Sequence, residues 1–206
     1  MSPWVARKTS SSACGGGWRG GEVVASHAGR LFKFAAALAA WLCCVLAGAV
    51  AAAGIPPDYA PTVVEPNVTG GRTEFDLTAA QSRARRERKR LYVYLGAIDC
   101  PYCRAYETFL RQNADALVSE FARDYVIVDL RSALSVKAGT LYFKTGAESL
   151  DYKTFMDRIG DERARLLVYP SVWLFDPDLK PLMQMPAGTG TFQTVPEQLE
   201  ILHLVQ

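Results

Sequence analysis

Leu91-Tyr92-Val93-Tyr94-Leu95-Gly96, followed after three residues by Cys100-Pro101-Tyr102-Cys103, is the stretch on which the reading of this chain turns. The first run is apolar, aromatic and β-branched, which predicts a short strand. The residues after the second, Arg104 to Asn113, carry apolar side chains at helical spacing, so Pro101–Asn113 is read as a helix. Two cysteines two residues apart are shared by zinc ribbons and redox sites. Placed behind a strand and on a helix N-terminus, they are the layout of a dithiol redox site.

The position within the turn assigns the two sulfurs different tasks. Cys100 falls at the N-cap and Pro101 at the first helical position, where its missing N–H costs nothing and its φ is already helical. Free amides and the positive end of the helix favour a thiolate at Cys100. Cys103 lies one turn in and is expected to be less exposed. Cys100 is therefore the expected nucleophile and Cys103 the resolving thiol.

Outward from the site, the chain alternates between elements. Asp76 is a candidate N-cap for a helix over 77–90, whose second half, Arg83 to Arg90, is strongly basic and reads as a solvated face. Helical spacing continues over Ala114–Arg123. Tyr125–Leu130 is a continuous apolar run and reads as a buried strand. Residues 132–148 look irregular, with one strand expected at Thr140–Lys144. Tyr152, Phe155, Met156 and Ile159 predict a helix ended by Gly160. Ser171–Asp176 is a strand that Pro177-Asp178 turns back into Leu179–Met185. Pro196–Leu204 is a final helix. The order is α/β, with a mixed central sheet flanked by helices.

The 206 residues suffice for one core, and the net charge of +2 provides no global attraction for nucleic acid. Five of the 23 basic and one of the 21 acidic residues fall in 1–53, leaving a slightly acidic remainder with 18 basic and 20 acidic groups. Phe34 to Gly54 is uncharged, has Arg30 and Lys33 before it, and ends in small residues with A-x-A patterns. It is read as a signal peptide, or as a membrane anchor if retained, since about 20 residues can span a bilayer. Either outcome exports the remainder, to a periplasm or beyond. The expected organisation is a basic leader over 1–53, a Pro/Gly-rich linker over 54–75 and one domain over 76–206.

Cys14, Cys43 and Cys44 belong to the leader, so Cys100 and Cys103 are the only cysteines beyond it. A disulfide closing so small a loop constrains little unfolded-state entropy, which makes the pair chemical and not a staple. Zinc normally takes four ligands, and beyond the leader the chain offers two Cys and one His, His203. Copper(I) could be held by two thiolates alone and stays open as an alternative. No cofactor and no other metal are expected.

With its element order, its CxxC at a strand–helix junction and the downstream run Tyr169-Pro170-Ser171-Val172-Trp173, the chain resembles the thioredoxin superfamily over roughly 76–204. That resemblance implies a thioredoxin fold and a thiol–disulfide oxidoreductase acting on protein disulfides. It also implies that Pro170 is a cis-proline facing the cysteines, with the Tyr169 backbone and Tyr102 meeting the substrate. The Pro-Tyr dipeptide is similar to that of glutaredoxins and of several exported thioredoxin-like proteins, and among subfamilies the chain is most similar to periplasmic thioredoxin-like proteins of the sulfur-oxidation-cluster type. Two positions depart from thioredoxin proper. Asp99 stands where tryptophan is usual, and Tyr94 stands where the family has a buried acid. A carboxylate beside Cys100 opposes the negative charge that the helix end favours, so an intermediate or reducing potential is expected. In an oxidising compartment a reductase needs a membrane electron donor as partner. A redox-silent adaptor using the Tyr169–Pro170 edge is the remaining alternative.

Overall fold

Residues 91–95 form the middle of one of the two longest strands among the described residues, with side chains buried on both sides of a sheet. The computed structural model describes residues 53–162, 164, 166–184 and 194–203. In it the central sheet has five strands: β1 (Thr62–Val64), β4 (Arg90–Ala97), β5 (Tyr125–Ser132), β8 (Ser171–Phe175) and β9 (Pro181–Gln184). Their order across the sheet is β1-β5-β4-β8-β9. β1 and β4 run parallel to β5, whereas β8 is antiparallel to β4 and β9 antiparallel to β8. The sheet is thus mixed, as expected.

Strand alternation sends Tyr92, Tyr94, Val172 and Leu174 to one face, where they meet α2 (Pro101–Gln112), α3 (Ala114–Asp124) and α5 (Val195–His203). Leu91, Val93, Leu95, Trp173 and Phe175 go to the other, against α1 (Thr78–Glu87) and α4 (Tyr152–Arg158). Burial on both faces explains the unbroken apolar runs of β4 and β5.

A second sheet lies on the α1/α4 side, in the order β2 (Asn67–Thr69), β3 (Arg72–Asp76), β6 (Leu141–Thr145), β7 (Glu148–Asp151). Its middle strands supply Phe75 and Phe143 to the core, where Phe143 lies 4.5 Å from Phe155 and 6.3 Å from Trp173, ring centre to ring centre.

This sheet corrects three expectations. Residues 54–75 are no linker: they hold β1, β2 and most of β3, so the central sheet itself begins inside them. The stretch 132–148 is less irregular than it reads, because β6 and β7 form a hairpin whose turn holds Gly146 at φ +62°. The helix expected over 77–90 stops at Glu87, where Arg88 turns left-handed (φ 55°) and β4 starts at Arg90. Leu77 occupies the N-cap position, with the Asp76 carboxylate accepting the Thr78 amide at 2.9 Å and the Lys144 ammonium at 2.8 Å.

The expected leader over 1–53 with its Cys14, Cys43 and Cys44, the span 34–54, Met185 and Leu204 lie outside the described residues, apart from Ala53 and Gly54. Among the described residues no helix is long and apolar enough to cross a membrane.

If the second sheet is part of the main core, Phe143→Ala is expected to lower unfolding free energy by about 3–5 kcal/mol. Val68→Ala, on the exposed β2, is expected to change it by less than about 0.5 kcal/mol. Equilibrium denaturant unfolding measures both. Equal small effects would show that the sheet is an appendage.

Candidate active site

β4 ends at Ala97, and the chain reverses at once. The Cys100 amide donates to the Ala97 carbonyl at 3.1 Å and the Ile98 amide to the Ser132 carbonyl at 3.0 Å, pinning the turn to the neighbouring strand. Cys100 then takes the extended N-cap conformation (φ −91°, ψ 119°) with Pro101 as the first residue of α2. Its sulfur accepts the Cys103 amide at 3.2 Å, so it does the work of a capping oxygen. The Cys103 sulfur accepts the Ala97 amide at 3.4 Å. Both thiols are free.

Cys100 is 2% exposed and Cys103 0%, so the difference in exposure expected between them is nearly absent. What covers Cys100 comes from the opposite side of the cleft. The Tyr169–Pro170 bond is cis, Pro170 is buried, and the Cys100 thiol can donate to the Tyr169 carbonyl at 3.8 Å. The Tyr169 ring is held in turn by a 2.8 Å hydrogen bond between its hydroxyl and Ser132 Oγ. Tyr102 does not join this group. It is more than half exposed, and Ile98 and Leu134 are exposed apolar side chains as well. Asp99 is exposed, and its carboxylate accepts the Leu134 amide at 2.8 Å, tying the turn before Cys100 to the loop after β5.

Behind the cysteines lies a buried polar group that sequence reasoning found only in part. Tyr94 is fully buried, and its hydroxyl donates to Glu107 Oε1 at 3.0 Å while lying near the Cys103 thiol. Burial raises the Cys103 thiol well above its usual range, and the Cys100 sulfur raises it further, against the opposing pull of the Ala97 amide and the Tyr94 hydroxyl. Burial likewise holds the Tyr94 phenol neutral, reinforced by Cys103 and Glu107. Gly96 makes room for this arrangement: a Cβ there would come within 2.5 Å of Tyr94 Cε1 and 2.8 Å of its hydroxyl oxygen.

Glu107, Asp129, Ser132 and Gly96 were not anticipated as site residues. Glu107 had a signal, since positions 103, 106, 107 and 110 share the inward face of α2. Asp129, a carboxylate inside an apolar strand run, had another. Opposite Tyr94 in the sheet register, it accepts Arg131 Nε at 3.0 Å and the Ile55 amide at 3.2 Å. Burial pushes its carboxyl up to about 6, against the pull of Arg131. Among the described residues no three His, Cys, Asp or Glu side chains gather as a metal site.

No family model and no curated protein matches the chain. Among solved structures it is similar to a thioredoxin-fold protein from Helicobacter pylori, with 13% identity and a TM-score of 0.37, over 58% of this chain and 70% of that one. It is also similar to a redox protein from Chlamydomonas reinhardtii, with 15% identity and a TM-score of 0.29, over 60% of this chain and 33% of that one. The α/β architecture stands on the strand order and pairing described above.

Two outcomes follow from the buried group. Gly96→Ala is expected to cost about 1–3 kcal/mol by displacing the Tyr94 ring, read by thermal or denaturant unfolding. Asp129 has a folded-state pKa above its ordinary 3.8, so between about pH 4 and 6 the native protein binds that proton more tightly than the unfolded chain. Its ionisation therefore lowers stability above that window and has no effect below it. Asp129→Asn is expected to gain on the wild type, by on the order of 1–3 kcal/mol, between pH 4.5 and 7.5. A wild-type-to-variant difference that does not change with pH would refute the assignment.

Proposed function

We propose that this chain is an exported thiol–disulfide oxidoreductase that acts on protein disulfides through Cys100 and Cys103, working as a reductase. One observation carries the reading. The Cys100 sulfur sits at the start of α2 on the Cys103 amide, with the Tyr169 carbonyl and cis Pro170 opposite it. A sulfur at a helix N-cap is placed for attack on a disulfide, and a backbone carbonyl beside it can offer an extended substrate strand a hydrogen bond.

The chemistry is two successive exchanges. The Cys100 thiolate attacks one sulfur of a substrate disulfide, forming a mixed disulfide and releasing the first substrate thiolate. The Cys103 thiolate then attacks the Cys100 sulfur, breaking that bond, releasing the second substrate thiolate and leaving a Cys100–Cys103 disulfide. The substrate has gained two electrons. A dithiol donor, supplied across the membrane in an oxidising compartment, returns them to the pair. The exposed apolar rim of Ile98, Tyr102 and Leu134 suits docking of an unfolded or extended polypeptide. The uncharged span 34–54 is the basis for export, by signal peptide or anchor.

The test is a titration of the full chain, with Cys14, Cys43 and Cys44 replaced by Ser, in dithiol buffers of graded potential. A reversible two-electron couple is expected, clearly more reducing than about −120 mV, the potential of a strong dithiol oxidant. Redox inertness with tight copper(I) uptake would replace this reading with a metal carrier. Inertness without copper uptake would leave a binding adaptor.

A further inference from the structure

Resolution of the mixed disulfide requires Cys103 to lose a proton, and the Cys103 thiol is closed to solvent. Burial also raises its pKa, so few Cys103 thiols ionise unaided at neutral pH. A base must reach it through the protein. The hydroxyl near its sulfur, that of Tyr94, is held neutral by burial and cannot itself be that base. It can only pass a proton along. Its own hydrogen bond shows where: to Glu107 Oε1, 3.0 Å away, on a side chain 4% exposed and one helical turn beyond Cys103.

Glu107 is an expensive residue to bury on the inner face of α2, where Tyr106 and Leu110 are its neighbours along the helix. A hydrogen bond to a tyrosine is not enough to account for it, because a phenylalanine and a leucine would fill the same space without the cost of burying polar groups. What lies on its far side is a pocket of about 10 Å³, lined by Tyr94, Gly96, Glu107, Asp129 and Arg131 among others. That is room for one water. The pocket has the polar partners such a water needs, since Asp129 Oδ1 is buried and has no other hydrogen bond. From there Arg131, a quarter exposed, leads to the surface and to Glu65 at 3.7 Å. The charged or titratable groups facing Glu107 are thus Cys103 on its own helix, Tyr94 on β4, and Asp129 and Arg131 on β5.

We propose that Glu107 is the proton acceptor for Cys103 in the resolving step, acting through the Tyr94 hydroxyl and delivering the proton to the polar pocket behind it. The Cys103 S–H bond breaks as its proton moves to Tyr94 Oη, and the Tyr94 proton moves to Glu107 Oε1. The freed sulfur pair attacks Cys100, the Cys100–substrate S–S bond breaks, and the substrate leaves as a thiolate. One negative charge disappears at Glu107 and one appears on the leaving sulfur. No electron passes through the tyrosine. The inference rests on the dithiol-exchange reading and assigns that reaction a residue far from the surface.

The two claims separate in one stopped-flow experiment with 5,5′-dithiobis(2-nitrobenzoate) on the reduced full chain, again with Cys14, Cys43 and Cys44 as Ser. Attack by Cys100 releases the first coloured thiolate at a rate that scales with reagent. Resolution by Cys103 releases the second at a rate that does not. Glu107→Gln and Tyr94→Phe are each expected to slow the second phase at least tenfold at pH 7 and leave the first within twofold. The double variant is expected to be no slower than either single one, because the two act in series. The gap to wild type is expected to narrow as pH rises and hydroxide replaces the base. A wild type that completes both phases, with a Glu107→Gln second phase within twofold of it and of unchanged pH profile, overturns the relay alone. A wild type with a first phase and no second overturns the dithiol reading and the relay with it. Should Glu107→Gln fail to fold, Tyr94→Phe decides by the same criteria.

Discussion

β4 is paired along both edges and covered on both faces, and every group of the candidate site is referred to it. Its last residue, Ala97, supplies a carbonyl to the Cys100 amide and an amide to the Cys103 sulfur. Its fifth residue, Tyr94, donates to Glu107 and has Asp129 on β5 and Val172 on β8 as register partners. A strand held in this way cannot slip by one residue without exchanging its two apolar faces. That constraint fixes the height of the two sulfurs relative to the cis Pro170 wall more firmly than any contact within the site.

The second sheet acts on the same strand from the other side. Phe75 and Phe143 close the Leu91, Val93 and Leu95 face, and Trp173 is tied there by its indole N–H to Asp161 at 3.0 Å. Rigidity on this face lets the opposite one carry polar groups. The α2 face holds Tyr92, Tyr94, Tyr106, Glu107 and Gln198, with the Tyr92 and Tyr106 hydroxyls 2.6 Å apart and Tyr106 donating to Gln198 Oε1 at 2.9 Å. The network is held by these hydroxyl bonds, while Gln198 Nε2 is buried with no hydrogen-bond partner among the described residues.

Much of this was legible before the structure. The apolar runs of β4, β5 and β8, the helices on either side and the pair Cys100–Cys103 could be read because local period and turn chemistry carry them. The second sheet could not. β2 and β7 are short, exposed or half-exposed edge strands, and Glu148-Ser149-Leu150-Asp151 has neither the alternation nor the β-branched content of a strand. Their pairing is decided by long-range partners, as is the incorporation of β1, whose mate β5 lies more than sixty residues away. The site divides along the same line. Cys100 and Cys103 were found from local pattern and Tyr169 and Pro170 through the resemblance, whereas Glu107 and Asp129, whose partners lie on other elements, were not.

The burial of Cys100 bears on how such a site can be both protected and used. At 2% exposure its sulfur is closed to a folded partner, and the group its thiol faces is the Tyr169 carbonyl. The contact at 3.8 Å is a thiol donating to the Tyr169 carbonyl, a weak bond that a substrate backbone amide can outcompete. An extended peptide pairing with Tyr169 would therefore remove the thiol's acceptor as it brings its own sulfur near. On the proposed reading, docking of a peptide and exposure of Cys100 become one event.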